Sequence, residues 1–278
     1  MNTFEFTILI WFSSIVAGFL GSLTGLGGGV VIIPLLTLVF GVDIRYAIGA
    51  SLVSVIATSS GAAAAYVKEG FTNIRIGMFL EMATTFGAIA GASLAANMPT
   101  RIIAIIFGIV LIWSSYESAR TRREEVHDKK PDALASILNL SSSFPTPEGP
   151  RSYSVHSVPS GFGLMFIAGM LSGLLGIGSG SMKVLAMDQV MKVPFKVSTT
   201  TSNFMIGVTA AASAGIYLNR GYIDPGIAMP VMLGVLFGSL VGTKVLVKAQ
   251  TRSLRILFGI IIFFLALEMI YKGVSGWF

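Results

Sequence analysis

Two short glycine-rich stretches decide the fold of this chain: "GLGGGVVIIP" at residues 25–34 and "GIGSGSMKVL" at residues 176–185. Both follow long apolar runs. A glycine in a helix interior costs about 1 kcal/mol of helix stability relative to alanine. Clustered glycines therefore weaken the helix within an apolar segment, where the backbone most needs helical hydrogen bonds. The two stretches therefore predict breaks at corresponding places in two hydrophobic segments.

The composition around these stretches is that of a membrane protein. Of 278 residues, 54% are hydrophobic and 12% are charged, against about 25% charged in an average soluble protein. Runs such as 6–42 and 46–67 carry no charge and exceed the roughly 20 residues that a membrane-spanning helix needs. They do not alternate polar and apolar residues as barrel strands would. We expect an all-α polytopic membrane protein whose first run is a retained helix.

Charge and cysteine content exclude several classes of function. The chain has no cysteine, so disulfides, thiolate metal sites and cysteine nucleophiles are excluded. The net charge of +6 comes from cations that lie mostly between apolar runs, where they act as topology signals. We therefore expect no nucleic acid partner. The sequence contains no GxxxxGK[ST] motif for nucleotide-driven pumping and no recurring group of nucleophile, base and orienting residue, so no enzyme activity and no cofactor are expected.

The chain contains an internal repeat. Shifting the sequence by 151 residues superimposes the glycine stretches, and 26 of 101 positions from Ala17 to Glu117 are then identical to their partners. Between the repeats lies a charged, Ser- and Pro-rich segment that cannot bury enough apolar surface to fold by itself. We expect a first transmembrane repeat at 1–118, a disordered cytoplasmic linker at 119–160 with a short amphipathic turn at 133–140, and a second repeat at 161–278. The linker contains His127 and His156, which we interpret as solvated rather than zinc-binding.

Lys and Arg residues orient the two repeats. If the chain turns at each glycine stretch, each repeat makes five crossings, the repeats are inverted, and fourteen cations lie on the cytoplasmic side against four outside. If each glycine-containing segment crosses only once, the halves are parallel and eight cations lie outside. The positive-inside rule favours the inverted arrangement, with both termini outside the cytoplasm.

The glycine stretches also predict an anion site. Unwound backbone at membrane depth is tolerated only where it lines a cavity, and half-helices that begin near Val30 and Ser181 would direct their positive dipole ends into that cavity. Paired broken helices in inverted halves indicate the substrate site of a transporter, whereas a single GxxxG pattern more often indicates close helix packing. The predicted substrate-binding positions are Gly27, Gly28, Gly29, Gly178, Ser179 and Gly180.

Two ionisable residues lie within the apolar runs. Lys183 follows the second glycine stretch, and a lysine at this depth is a candidate substrate ligand, although snorkelling to the surface is an alternative. Glu81 lies five residues into its run. It could carry a coupling proton or pair with Arg75, and the sequence favours neither.

A polar cluster, "KVSTTTSNFMIG" at 196–207, is matched in the first repeat by "RYAIGASLVSVI" at 45–56. Its run of consecutive polar residues exceeds what backbone capping and helix contacts require. We predict that Thr201, Ser202 and Asn203 line a polar cavity together with Ser51.

Three stretches of this sequence resemble the TauE/SafE sulfite exporter family: "GSLTGLGGGVVIIPLL", "GMLSGLLGIGSGSMKVLAMD" and "VPFKVSTTTSNFMIGVTAAASAGIY". The resemblance covers both halves and leaves out the linker and chain ends. It implies a bacterial or archaeal transporter of the cytoplasmic (inner) membrane that moves sulfite, thiosulfate or organosulfonates such as sulfoacetate. The family pattern has glycine and proline where this chain has Ser179 and Leu185.

Together these features predict a multi-pass secondary transporter that moves a small sulfur-containing anion by alternating access, with export as the direction that the resemblance implies. An anion channel and a transporter of non-sulfur organic anions are the alternatives. The expected partners are the anion and membrane lipid, and a homodimer remains open.

Overall fold

The computed structural model describes residues 2–24, 28–68, 70–119, 132–146, 149–246 and 251–277. The first half contains α1 (Thr3–Thr24), α2 (Gly29–Pro34), α3 (Ile44–Lys68), α4 (Ile74–Asn97) and α5 (Thr100–Ala119). The linker contains α6 (Ala133–Ile137) and strands β1 (Ser142–Thr146) and β2 (Gly149–Tyr153). The second half contains α7 (Val158–Leu175), α8 (Gly180–Leu185), α9 (Phe195–Asn219), α10 (Pro225–Leu246) and α11 (Thr251–Ser275). The described chain is thus predominantly helical, as the composition predicts.

The repeat predicted from the sequence is present in the secondary structure. A shift of 151 residues places the first and last positions of α2 on those of α8, and the first and last positions of α3 on those of α9. Helices α2 and α8 continue directly into π-helical turns, Leu35–Val39 and Ala186–Val190, which also coincide under this shift. Because the position equivalent to Pro34 is occupied by Leu185, a proline cannot be the common cause of the two π-helical turns. The broken helix and its π turn are features of the repeat itself.

Four of the described helices are long and apolar enough to cross a membrane: Phe4–Gly21, Ile74–Asn97, Val158–Leu175 and Pro225–Gly242. Each is about a third to a half buried within the protein. Their exposed sides carry large apolar side chains such as Phe12, Phe86 and Phe237, which is the surface that lipid requires. The shorter helical segment Gly29–Val39 spans roughly half of a bilayer at about 1.5 Å per residue.

The halves pack together through small residues at close backbone contacts. A side chain at Gly87 or Gly91 of α4 would collide with the backbone of α7 around Met170, and one at Gly238 would collide with the backbone of α1 at Ile15. Such close approach is the usual basis of helix association in membranes. Close packing of this kind, the alternative role for the glycine stretches, is found at these glycines and also at Gly28 and Gly29.

Contacts along the helices fix their relative directions. Gly108 of α5 faces Ala266 of α11, the Ser115 hydroxyl donates to the Gly259 carbonyl at 2.7 Å, and Gly273 faces Arg101. Residue numbers rise along α5 as they fall along α11, so these two repeat-equivalent helices are antiparallel. By the same comparison α1 runs parallel to α10, and α4 runs parallel to α7.

The described part of the linker is ordered, so the prediction of disorder is wrong for residues 132–146 and 149–157. Strands β1 and β2 form an antiparallel hairpin with Ser142 opposite Tyr153, and α6 falls within the predicted amphipathic turn. Phe144 and Tyr153 pack into a cluster with Met187 and Met191 of the second half. The linker folds because the membrane helices supply apolar surface that the isolated segment lacks. Residues 120–131, including His127, lie outside the described residues.

Asn73 connects this hairpin to the membrane helices. Its carboxamide accepts from the Ile76 amide at the start of α4, and its Nδ2 donates to the Leu140 carbonyl at 2.9 Å and the Tyr153 hydroxyl at 2.7 Å. Burial raises the pKa of Tyr153 to about 12, with hydrogen bonds from Asn73 and Ser142 acting in the opposite direction. The hairpin is therefore anchored by a buried polar contact as well as by apolar packing.

Candidate functional site

The two glycine stretches meet in the interior. Gly28 begins α2, and its carbonyl accepts from the amides of Val31 and Ile32. A Cβ at Gly29 would lie 2.5 Å from the Ser51 hydroxyl and 3.1 Å from the Gly176 carbonyl of the second stretch. Gly29 therefore has space for no side chain, and the chain breaks of the two halves are neighbours. Gly27 lies outside the described residues.

The second stretch breaks its helix through left-handed backbone. Gly176 and Gly178 have φ of +68° and +70°, and Ser179 has φ of +44°. A non-glycine residue in this region is uncommon and marks local strain. Ser179 is 3% exposed, and among the described residues its hydroxyl has no hydrogen-bond partner. This stretch thus holds a buried, unused donor at the entry to α8.

Ser51 and Ser202 stabilise the chain breaks. The Ser51 hydroxyl donates to the Gly176 carbonyl at 2.8 Å, and the Ser202 hydroxyl donates to the Gly180 carbonyl at 3.2 Å. Gly176 follows the last residue of α7, where helix carbonyls are left without partners and lipid cannot supply any, whereas Gly180 is the first residue of α8. The two serines, which occupy equivalent positions in the repeat, both satisfy carbonyls of the second stretch.

Thr201 and Asn203 lie elsewhere on α9. The fully buried Thr201 hydroxyl accepts from the Asn73 amide at 3.0 Å, which places Thr201 beside the linker hairpin. Asn203 is half-buried. Within the polar cluster, Ser202 therefore contacts the second chain break and Thr201 contacts the start of α4.

A narrow crevice lies beside the entry to α8, and its volume of about 10 Å³ is close to the minimum that a single water molecule needs. Two predicted residues, Ser179 and Gly180, line it. Ser114 of α5 and Ser181 also line it and were missed by the sequence analysis, because a serine in an apolar helix usually bonds to its own backbone. The complete lining is Val30, Val110, Ser114, Leu171, Ile177, Ser179, Gly180, Ser181 and Met182.

The two intramembrane charges are joined through a threonine. Lys183 is completely buried and Glu81 is 8% exposed. The Lys183 ammonium donates to the Thr209 hydroxyl at 2.5 Å, and that hydroxyl donates to Glu81 Oε1 at 2.7 Å. In this state the Lys183 ammonium is directed at Thr209, and Lys183 does not snorkel to the surface.

Glu81 has a specific environment. Thr85 also donates to Oε1, at 3.2 Å, whereas Glu81 Oε2 is buried without a hydrogen-bond partner among the described residues. The alternative pairing with Arg75 does not occur, since the Arg75 guanidinium donates to the Asn139 carbonyl of the linker at 3.2 Å. The carboxylate therefore presents one satisfied and one unsatisfied oxygen.

This network breaks the symmetry of the repeat. Under the shift of 151 residues Lys183 corresponds to Ile32 and Glu81 to Met232, while Thr209 corresponds to Thr58. Thr58 donates only to carbonyls of its own helix. Both repeats have a threonine at this position, and that match could have identified Thr209 from the sequence. However, Thr58 and Thr209 each lie just beyond the matched polar stretches at 45–56 and 196–207.

Repeated broken helices, exposed apolar faces and helices long enough to cross a bilayer define a polytopic membrane protein. Residues 10–269 match the family described as "Sulfite exporter TauE/SafE", and the chain belongs to that family.

Curated relatives agree with this class. "Probable membrane transporter protein YunE" of Bacillus subtilis is 29% identical over 97% of this chain and 99% of its own length. "Probable membrane transporter protein YdhB" of Bacillus subtilis is 25% identical, over 85% and 87%. "Probable membrane transporter protein MJ0441" of Methanocaldococcus jannaschii is 25% identical, over 96% and 97%. No solved structure matches this chain.

Proposed function

We propose that the protein is a secondary transporter that exports a small sulfur-containing anion across the cytoplasmic membrane by alternating access. The observation that carries this proposal is the meeting of two repeat-related helix breaks beside a crevice lined by Ser179 and Gly180. Broken helices at corresponding positions are the usual location of a transporter's substrate. Sulfite, thiosulfate and sulfoacetate are the substrates that family membership suggests.

Inverted repeats are part of this proposal. The antiparallel contacts of α5 with α11 support them, because equivalent helices that run in opposite directions are related by an axis in the membrane plane. The cation distribution gives independent support. In this arrangement the linker hairpin lies on the cytoplasmic side and both chain ends lie outside.

The crevice lining has suitable chemistry for an anion, which would enter once alternating access widens the crevice beyond its present volume of about 10 Å³. Sulfur oxyanions and sulfonates present several oxygen acceptors, and the unused Ser179 hydroxyl, Ser181, Ser114 and the backbone at Gly180 can donate to them. Lys183 follows Met182, a lining residue, and supplies positive charge one residue away. In this proposal Ser51 and Ser202 shape the site by holding the helix breaks, and Gly27, Gly28 and Gly29 contribute backbone from the first half. Thr201 and Asn203 become contacts only in another conformation of the cycle.

Ligand binding to detergent-purified protein tests the substrate class. Melting temperature is measured with sulfite, thiosulfate, sulfoacetate, sulfate and chloride, because a ligand selective for the native state raises stability with concentration. We expect stabilisation by at least one sulfur anion. Loss of that effect in Lys183→Met would support the positive charge as part of the site, and no shift with any anion would contradict the proposal.

Ser179→Gly is the sharpest variant for the crevice. Glycine tolerates the left-handed backbone at position 179, so this change removes the hydroxyl without adding strain. We expect unchanged or higher stability with weaker anion binding. Ser143→Gly, at an exposed hairpin position, is the matched control that leaves binding unchanged. Equal binding in Ser179→Gly and wild type would remove Ser179 from the site.

An anion channel is the principal alternative, since a channel could use the same exposed backbone. It differs in kinetics, because channel flux does not saturate at modest anion concentration. A transporter of non-sulfur organic anions would differ from a sulfur-anion transporter only in the ligands that stabilise it. The same binding panel, extended with carboxylates, separates these two kinds of transporter.

A further inference from the structure

Glu81, Thr209 and Lys183 form a buried polar group outside the lining of the substrate crevice. Lys183 lies on the α8 segment, Glu81 on α4 and Thr209 on α9, so three elements from both halves meet there. Charged residues at membrane depth are costly and are retained at ion pathways. We propose that this cluster is the coupling site of the transporter and that the coupled ion is a proton, bound at Glu81 Oε2. This inference rests on the proposed function and names its coupling ion.

The geometry gives the proton a defined position. Oε1 already accepts from Thr209 and Thr85, whereas Oε2 is buried without a partner among the residues described. A proton from water that binds Oε2 forms one O–H bond and removes the carboxylate charge. Lys183 remains an ammonium, so the net charge of the cluster changes from zero to plus one.

Lys183 also excludes a metal cation from this cluster. Its ammonium occupies the donor position at the Thr209 hydroxyl, at 2.5 Å, next to the carboxylate that a sodium ion would need. The cluster's positive charge is therefore carried by a side chain and not by a bound metal ion. Protonation of Glu81 changes the charge of the cluster without displacing Lys183.

Protonation is linked to anion binding through Lys183. Gly180, Ser181 and Met182 line the crevice and lie within one helical turn of Lys183. Once Glu81 is neutral, the ammonium is uncompensated and attracts an anion in the crevice more strongly. By reciprocity the bound anion strengthens proton binding at Glu81. Anion and proton therefore move in the same direction, and an outward anion gradient drives both outward.

Other ionisable groups on the surrounding elements are already engaged or distant. Helix α7 carries none. On α9, the Lys196 ammonium lies 3.8 Å from the centre of the Phe71 ring, and the Tyr217 hydroxyl donates to the Gly173 carbonyl. Arg75, on α4 itself, binds the linker. Asp188 is five residues beyond Lys183 on the same helical segment. Glu81 and Lys183 are thus the pair through which pH acts.

The test measures anion affinity and proton uptake together in the purified full-length protein. The probes are thiosulfate and sulfoacetate, which keep their charge between about pH 6 and about pH 9, a range in which ordinary carboxyl groups stay ionised. We expect wild-type affinity to fall about tenfold across this range, at the lower end of usual coupling between two sites. We also expect proton uptake when the anion binds in weakly buffered solution.

Two sets of variants make the test specific. Glu81→Gln mimics the protonated acid, so it should bind anion at the low-pH affinity throughout and take up no proton. Thr209 is a positioning residue, so Thr209→Ser should retain the wild-type pH response and Thr209→Val should shift it. If Thr209→Val does not fold, the pair Glu81→Gln and Thr209→Ser still decides the outcome.

The failures can be told apart. Wild-type binding that is equal at both pH values, or a Glu81→Gln variant that keeps the wild-type pH response and proton uptake, would overturn proton coupling while leaving anion transport intact. If thiosulfate, sulfoacetate and sulfite all fail to bind wild type at either pH, the proposed function fails and the coupling site fails with it.

Discussion

At the scale of single residues, the site depends on positions where one added atom or one lost hydroxyl changes the contacts. Gly29 is the clearest case, because its missing side chain allows Ser51 to reach the Gly176 carbonyl of the other half. The sequence predicted glycine at this position to expose the backbone. The structure gives a more specific reason, namely close contact between the two chain breaks.

Replacing Gly29 with alanine should displace the Ser51 hydroxyl and weaken the contact between the halves. Overpacking of this kind costs about 1–3 kcal/mol in unfolding free energy, measured by thermal or chemical unfolding in detergent. Gly163→Ala is the matched control, since Gly163 lies within α7 with no neighbour within 4 Å of an added Cβ. Similar stability of the two variants would contradict the tight contact at Gly29.

At the scale of elements, the linker hairpin is the largest departure from the sequence prediction. Its composition is polar and rich in Ser and Pro, which predicted a segment unable to fold by itself. A single sequence cannot show that Met187 and Met191 complete its core, because that contact joins segments distant in the chain. The broken helices, in contrast, follow from local glycine patterns and were predicted.

Tyr153 gives the hairpin a characteristic response to alkaline pH. Its pKa is raised to about 12 by burial, above the usual value of about 10. Its contribution to stability is therefore full below about pH 10 and is lost as the pH rises towards 12. We expect the tyrosinate absorbance difference between wild type and Tyr153→Phe to appear near pH 12. Ionisation of Tyr153 near pH 10 would show that the hairpin is not docked.

At the scale of the whole molecule, the two halves share a fold but differ in charge. The repeat, the family and the membrane class were accessible from the sequence, because identities and hydropathy recur at a fixed spacing. The Lys183–Thr209–Glu81 network was not, because its residues come from three elements and have apolar counterparts at Ile32 and Met232. Only the three-dimensional packing shows that the two predicted charges meet.

Topology can be measured directly because the chain lacks cysteine. Single cysteines at Ser143 in the hairpin and Ser275 at the end of α11 would be probed with a membrane-impermeant thiol reagent. Inverted repeats predict that intact cells label Ser275→Cys and that Ser143→Cys reacts only after permeabilisation. Labelling of both or neither in intact cells would contradict inverted halves with an internal linker.

The most direct measurement of the central claim is exchange of radiolabelled thiosulfate by the purified protein in proteoliposomes. Alternating access predicts saturable uptake that accelerates when unlabelled thiosulfate is present on the opposite side, with Ser143→Gly behaving like wild type and Lys183→Met inactive. Flux that rises linearly with concentration and shows no such acceleration, or no protein-dependent flux, would contradict a thiosulfate-carrying transporter.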